Sequence, residues 1–339
     1  MARSVVRVAV IMMVAAAAVA VAQAADGPKW GGSWQSGPPT TFPQAFMRFD
    51  GAYVESAGLV YFLGGRLADN NTDGSIWTFN PTTGIYTDTD ETMPIAISNY
   101  TVNQLNDSTG LGLYVFCGRD SAGAQTFAVQ GIYPATNTTF SLPPADNFPG
   151  PVACGGGLNA VVNNKAYIAG GFDGVSSMGV QTWVFDPMAA SGSRWTRLTS
   201  ADLPQGLSYI TTAVVDGKIY AIGGAYWDPA TSGLLNVNTV LVLDPAAPTP
   251  TWTAVASLPE QCSSSRAWGF DTGSPYVDPS DMTPLSGKII AGCGFWATPV
   301  TSVYAYTVAT NNWEVFPPFN TARRDTAGEF LPAAGGPAL

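Results

Sequence analysis

The segment Lys218-Ile219-Tyr220-Ala221-Ile222-Gly223-Gly224 is a short β-prone run that ends on a pair of glycines. The same pattern occurs four more times along the chain, in copies that end at Gly65, Gly118, Gly171 and Gly294. Three successive intervals between these glycines are 53 residues long, and the last is 70. A period near 50 residues is typical of architectures in which each unit is too small to bury its own apolar faces. The sequence therefore predicts a fold built from five similar units.

Each unit is predicted to contain four short strands, which we call a to d. In the fourth unit strand a covers residues 209–215, ends at the hairpin signal Asp216-Gly217, and leads into the glycine-terminated run as strand b. Strand c is closed by Asp244-Pro245, because an aspartate before a proline favours a turn. Strand d contains Trp252 and ends near Leu258-Pro259. We therefore expect an all-β fold in which the strand d tryptophans pack between sheets.

These features resemble the kelch repeat: an apolar run into Gly-Gly, a strand closed by Asp-Pro, and a later tryptophan followed by Leu-Pro. The resemblance implies a kelch-type β-propeller with five complete four-stranded blades and a partial sixth blade shared by the two termini. Three departures stand out: two glycine pairs have become Cys-Gly, Ile290 replaces the tyrosine of the family pattern, and the second unit lacks a tryptophan. Two alternatives stay open, a five-bladed ring with loose ends or a six-bladed ring that lacks part of one blade.

The first 24 residues have the pattern of a secretory signal peptide, with Arg3 and Arg7 before an uncharged run and small residues at Ala22 and Ala24. A transmembrane anchor is the alternative, but alanine contributes little hydrophobicity. We accordingly divide the chain into a signal peptide (1–24), an N-terminal extension or closing strand (25–44), the propeller (45–332) and a tail (333–339). The protein is expected to be secreted, or periplasmic in a bacterium, with no membrane insertion after cleavage.

The composition excludes several classes of function. Without Arg3 and Arg7 the chain has 12 basic against 24 acidic side chains, a net charge of −12, and it has no basic cluster. Nucleic-acid phosphates would be repelled by such a surface. The chain has no histidine, which removes Ser-His-Asp catalysis and His-ligated zinc or copper. We therefore expect no metal and no cofactor.

Four cysteines follow the proposed signal peptide, and an even number in an exported chain favours disulfides. Cys117 and Cys293 replace the first glycine of a pair, whereas Cys154 and Cys262 precede a strand a. The sequence predicts the bridges Cys117–Cys154 and Cys262–Cys293. The alternative is that all four are small buried residues.

The candidate binding residues lie in the connections from strand b to c and from d to a, which share one face of an antiparallel four-stranded blade. Aromatic rings interleaved with arginine and aspartate suit a sugar or a peptide, although unrelated local salt bridges are the alternative interpretation. The candidates are Arg66, Arg119, Asp173, Trp227, Arg266, Trp268, Trp296, Arg323 and Arg324.

Four Asn-X-Ser/Thr sequons fall in the first half of the chain and would be glycan acceptors in a eukaryotic secretory pathway. They begin at Asn70, Asn99, Asn106 and Asn137. The first two are predicted to lie on the candidate binding face and the last two on the opposite face. A partner would then approach units three to five, which carry no sequon.

Two functions are compatible with these observations. The first is a non-catalytic, secreted and monomeric binding protein for an extracellular glycan or protein. The alternative is a sugar-modifying enzyme, because secreted kelch propellers include galactose oxidase-type copper enzymes and a sugar epimerase. The chain lacks histidine for copper, so an enzyme would depend on residues such as Arg323, Arg324 and Glu329.

Overall fold

The computed structural model describes residues 42, 46–278, 282–295, 298–325 and 328. Within them lie five four-stranded antiparallel sheets, one for each predicted unit. Sheet 1 consists of β1 (Gly51–Val54), β2 (Leu59–Arg66), β3 (Thr72–Asn80) and β4 (Ile85–Thr92). Sheet 2 consists of β6 (Val102–Asn106), β7 (Leu111–Phe116), β9 (Val129–Tyr133) and β10 (Thr138–Ser141). Sheet 3 consists of β11 (Leu158–Val162), β12 (Lys165–Ala169), β13 (Thr182–Phe185) and β14 (Trp195–Arg197).

The fourth sheet is built on the segment that defined the repeat. It consists of β15 (Thr211–Val215), β16 (Lys218–Ile222), β19 (Val240–Leu243) and β20 (Thr253–Val255). Sheet 5 consists of β21 (Ala267–Phe270), β22 (Lys288–Gly292), β23 (Val303–Thr307) and β24 (Asn312–Phe316). Two-stranded pairs are formed by β5 (Ile97–Ser98) with β8 (Arg119–Asp120) and by β17 (Ala225–Asp228) with β18 (Gly233–Asn236). Three short 3-10 helices cover Pro144–Asp146, Thr199–Ala201 and Val308–Thr310.

The five sheets are arranged around a common axis. Their first strands, β1, β6, β11, β15 and β21, contact one another in that order, and residues of all five line one central cavity. Each sheet runs outward from its first strand in simple antiparallel order. This is the architecture of a β-propeller, as the sequence predicted.

The apolar core lies between the faces of neighbouring sheets. One buried cluster, for example, joins Val215 and Tyr220 of sheet 4 to Ile289 and Tyr306 of sheet 5. The strand d tryptophans complete these interfaces. Their indole Nε1 donates to the preceding unit in three cases: Trp195 to the Asp146 carbonyl (2.8 Å), Trp252 to Thr182 Oγ1 (3.1 Å) and Trp313 to the Ala256 carbonyl (2.8 Å). The expectation that these rings pack between sheets is confirmed.

A chain of main-chain hydrogen bonds connects the sheets at one end of the axis. Each bond runs from the N–H of one residue to the carbonyl of its counterpart in the preceding unit, at 2.5–3.2 Å. The residues all have φ between +49° and +70°. We call this set the axial ring; it consists of Arg48, Asn99, Gly156, Tyr209, Ser264 and Asp325.

The axial ring has six positions, although only five are followed by a described four-stranded sheet. The sixth is Asp325, whose N–H bonds the Ser264 carbonyl at 2.7 Å. The segments predicted to be the signal peptide (1–24) and the tail (333–339) lie outside the described residues, and so does the predicted N-terminal extension or closing strand (25–44) apart from residue 42. So does most of the stretch that would continue a sixth unit, in which only Gly328 is described.

Both predicted disulfides are confirmed. Cys117 pairs with Cys154 at a Cα separation of 5.6 Å, and Cys262 pairs with Cys293 at 5.2 Å. The first bridge joins the end of strand b in sheet 2 to the approach to sheet 3. The second joins the approach to sheet 5 to the end of its own strand b. Each bridge therefore fixes a connection close to the axial ring.

Asp107 stabilises the turn between β6 and β7. Its Oδ2 accepts hydrogen bonds from the Tyr114 hydroxyl (2.5 Å) and the Tyr133 hydroxyl (2.6 Å), and its Oδ1 accepts from the Thr109 and Gly110 N–H groups. Burial raises the pKa of the carboxyl, but the four hydrogen bonds favour the ionised form more strongly, and the net pKa lies below its ordinary value of 3.8.

We expect Asp107→Asn to lower the free energy of unfolding by about 2 kcal/mol at pH 7, because hydrogen bonds to a charged acceptor are the stronger kind. A lowered folded-state pKa contributes stability that is present above the unfolded value and is lost as pH falls through the folded value. Urea unfolding at pH 7 and pH 2.5 should therefore show a difference between wild type and variant that shrinks in acid. A difference of equal size at both pH values would contradict the conclusion that the ionised Asp107 carboxylate stabilises the turn.

Candidate functional site

The axial ring lies beside the residues that follow the glycine pairs. In three units the chain leaving strand b pairs with the residue immediately before the ring position, as Arg66 does with Met47, Arg119 with Ser98 and Ala225 with Ser208. The predicted meeting of the b-to-c and d-to-a connections is thus observed. We call this end of the axis the mouth, and define it by the axial ring together with Arg66, Arg119, Phe172 and Trp227.

One half of the mouth is cationic. The Arg48 Nε lies 3.7 Å from Asp325 Oδ2. Burial, then the positive charges of Arg48 and Arg119, lower the pKa of the Arg66 guanidinium, while Tyr209 and Asp325 act in the opposite direction. The Arg66 Nε is buried and has no hydrogen-bond acceptor among the described residues. Three guanidinium groups from two neighbouring units therefore converge on one region.

The carboxylates of the adjacent loops accept hydrogen bonds within their own loops. Asp173 Oδ1 accepts the N–H groups of three residues of its own loop, 175 to 177, at 2.7–2.9 Å. Asp69 accepts from Asn71, Asp120 from Ala124, and Asp228 from Ala230 and Thr231. The predicted binding residue Asp173 thus caps a loop, as its neighbours do.

The other half of the mouth is aromatic. The Phe172 ring lies 6.3 Å from Trp227 at an interplanar angle of 24°, and 6.4 Å from the ring of Tyr209. Burial raises the pKa of Tyr209 to about 12, so its hydroxyl is a neutral donor at physiological pH. Trp227 is half-buried and lies one residue pair from the turn of the β17–β18 hairpin, whose first residue, Ala225, pairs with Ser208 beside the axial ring.

Arg266 and Trp268 lie on the axis rather than at the mouth. Both contribute to the walls of the central cavity, which has a volume of about 740 Å³. Arg266 Nη1 is 3.0 Å from Asp50 Oδ2, and its Nε donates to the Gly328 carbonyl at 3.0 Å. Burial raises the pKa of Asp50, although the Arg266 charge and backbone donors oppose the rise. The pair bridges sheets 1 and 5.

The remaining predicted residues are dispersed. The Arg323 guanidinium is buried near the ring of Phe319, with 6.0 Å from its carbon to the ring centroid, and burial lowers its pKa. Arg324 is exposed beside Asp325. Trp296 and Glu329 lie outside the described residues, so the arginine and glutamate set of the enzyme hypothesis is not assembled within them.

Sequence reasoning missed Arg48, Tyr209 and Gln125. The Gln125 side chain lies beside Gly155 and Gly174, and its Oε1 is buried without a described donor. Arg48 and Tyr209 precede strands a and carry no distinguishing motif. Only their spacing from Ser264 could have indicated them, since Tyr209 lies about one repeat period before Ser264 and Arg48 about four periods before it.

The sequons occupy different environments. Asn70, Asn106 and Asn137 are exposed, but the Asn137 Nδ2 donates to the Thr89 carbonyl at 2.9 Å. Asn99 is a half-buried member of the axial ring. Of the four, Asn70 and Asn106 present the most accessible amides.

This geometry defines the class: a β-propeller with an arginine- and aromatic-lined mouth at one end of its axis. Comparison with known proteins then identifies a family motif within one unit. The family described as Kelch motif matches residues 206–259, the part of the chain that contains sheet 4. The resemblance to the kelch-repeat propellers is therefore confirmed.

A solved structure gives the same result for the fold. YjhT, a kelch-type propeller protein, superimposes with a TM-score of 0.61 at 16% identity, over 87% of this chain and 94% of its own. At that identity the likeness concerns the fold alone. A comparison with curated protein sequences gave no match. Within the described residues, no helix has the length and apolar character needed to cross a membrane.

Proposed function

We propose that the protein is a secreted, monomeric, non-catalytic kelch propeller that binds an extracellular glycan or protein at the mouth. The observation that carries this proposal is the convergence of Arg48, Arg66 and Arg119 around Tyr209, whose ring lies 6.4 Å from that of Phe172. Ligand sites commonly combine directed hydrogen-bond donors with the apolar faces of aromatic rings. The two disulfides and the sequons are in keeping with an extracellular location.

Rigid placement of the mouth also supports a binding role. The backbone around it is held by the main-chain hydrogen bonds of the axial ring and lies near two disulfides. The binding residues are therefore already positioned before a ligand arrives. Preorganised groups lose less entropy when a ligand arrives, which favours affinity.

The test compares two double variants that each remove two positive charges. Arg66→Ala/Arg119→Ala changes the mouth, whereas Arg197→Ala/Lys218→Ala changes exposed ion pairs elsewhere. The full chain is screened against immobilised glycans and extracellular proteins, and the affinity for each ligand found is measured. We expect the mouth variant to bind at least 30-fold more weakly, about 2 kcal/mol, since arginines are frequent hot spots in binding sites. The control variant should bind within twofold of wild type. Equal affinities for both variants would refute binding at the mouth.

A further inference from the structure

The mouth contains three arginines, whereas the chain as a whole is acidic. The whole sequence has a net charge of −10. Yet within the described residues neither Arg66 nor Arg119 forms an ion pair with a carboxylate; Arg119 Nε instead donates to the carbonyl of Gly123 at 2.8 Å. Asp69, Asp120 and Asp173 are hydrogen-bonded within their own loops, and Asp325 faces Arg48, so none of these carboxylates forms an ion pair with Arg66 or Arg119. A local cationic field on an acidic protein selects anionic partners.

The arrangement of the cations also restricts the anion. Arginine presents its donors in a planar fork, which matches a carboxylate in two parallel hydrogen bonds. The Arg66 Nε is buried without an acceptor, so a ligand oxygen that reached it would satisfy a donor that is otherwise left unpaired. The Arg48 Nε already lies 3.7 Å from Asp325 Oδ2. Arg48 would therefore add positive potential to the site without forming a bidentate hydrogen bond to the ligand.

The opposite wall indicates what bears the carboxylate. The half-buried Trp227 ring presents an apolar surface, and the buried Phe172 ring packs beside it, with 6.3 Å between the ring centroids and an interplanar angle of 24°. A pyranose ring has an apolar face that packs on such a surface, with its hydroxyls directed toward polar groups such as the Tyr209 hydroxyl and the Gln125 Oε1. An extended acidic peptide would need a groove or an open strand edge as well.

We propose, on the basis of the function proposed above, that the ligand is a glycan with a carboxylate-bearing sugar. The carboxylate lies between Arg66 and Arg119, and the sugar ring packs against Trp227. Arg48 and Asp325 bound the site on the far side. No covalent step is involved.

The test uses oligosaccharides in matched pairs on the full chain at 50 mM NaCl. One member of each pair is a trisaccharide of galacturonic, glucuronic, mannuronic or guluronic acid, and the other is its carboxyl-reduced counterpart; a sulfated form of the reduced sugar is the third probe. We expect at least one acid to bind ten or more times tighter than its reduced and sulfated counterparts. Arg66→Ala should remove most of that preference, and Arg66→Lys should restore part of it, while Trp227→Ala should weaken the acidic and reduced sugars by the same factor.

The outcomes separate the two proposals. If a reduced or sulfated sugar binds as tightly as the acid and the mouth variants weaken it, the carboxylate inference is overturned while binding at the mouth stands. If only acidic peptides or proteins bind at the mouth, or no acidic sugar binds, the inference is overturned in the same way. If an acid binds but Arg66→Ala/Arg119→Ala leaves its affinity unchanged, the function proposed for the mouth fails too. Near-ultraviolet circular dichroism of each variant confirms that its fold is retained.

Discussion

Gly223→Ala is expected to lower the free energy of unfolding by about 4 kcal/mol. Gly223 has φ +61°, a conformation that costs an alanine about 1–2 kcal/mol. An added Cβ would also lie 2.1 Å from the Cys262 carbonyl oxygen and 3.2 Å from that of Val237. Both neighbours are main-chain atoms, so relief requires movement of two connections, and overpacking of this kind costs about 1–3 kcal/mol more.

The control for this prediction is Gly58→Ala. Gly58 has φ +63°, but an added Cβ would have no neighbour within 4 Å. The control therefore measures the conformational cost alone, which we expect to be about 1 kcal/mol. Chemical unfolding of both variants gives the difference. If the two variants lost similar amounts of unfolding free energy, the close contact between Gly223 and the neighbouring backbone would not be the reason for a glycine at that position.

Asp146→Ala should have an effect of similar size, about 3–5 kcal/mol. The Asp146 carboxylate is fully buried between sheets 2 and 3, where Oδ2 accepts from the Ser191 hydroxyl (2.8 Å) and Oδ1 from the Gly192 N–H (2.7 Å). Its Oδ2 also lies 3.7 Å from the Arg194 Nε. Removal of one partner from a buried charge pair leaves the other uncompensated, which is the costly case.

Two further variants test this reason. Asp202→Ala breaks the exposed pair with Arg197 and should cost less than about 1 kcal/mol. Asp146→Ala/Arg194→Met removes both members of the buried pair and should recover part of the loss, because no unpaired cation remains. A double variant less stable than Asp146→Ala, measured by the same urea unfolding, would show that Arg194 stabilises through packing instead.

The repeat made the fold predictable from sequence, because glycine pairs, Asp-Pro corners and strand d tryptophans recur where the backbone needs them. The disulfides followed from the same register. The mouth was only half predictable. Arg66 and Arg119 follow a recognisable glycine, whereas the ring positions are occupied by residues as different as Arg48 and Tyr209, whose shared feature is a left-handed backbone fixed by tertiary hydrogen bonds.

Arg266 shows the opposite limitation. Its position before a strand a suggested a loop residue at the mouth, but strand a is the innermost strand of its sheet, and Arg266 lines the central cavity. Its partner Asp50 is 216 residues away in the sequence. No local pattern indicates such a pair, because it exists only once the first and last described sheets are brought together.

The axial ring separates what holds the propeller together from what the propeller recognises. Its links are made by peptide groups, so the side chain at each of the six positions contributes nothing to the links themselves. Any residue that tolerates a left-handed backbone can occupy such a position, and five of the six are not glycine. The links would therefore survive a change of side chain, whose cost would come from contacts such as the one between Arg48 and Asp325, and the same six positions are where a new specificity could be introduced by design.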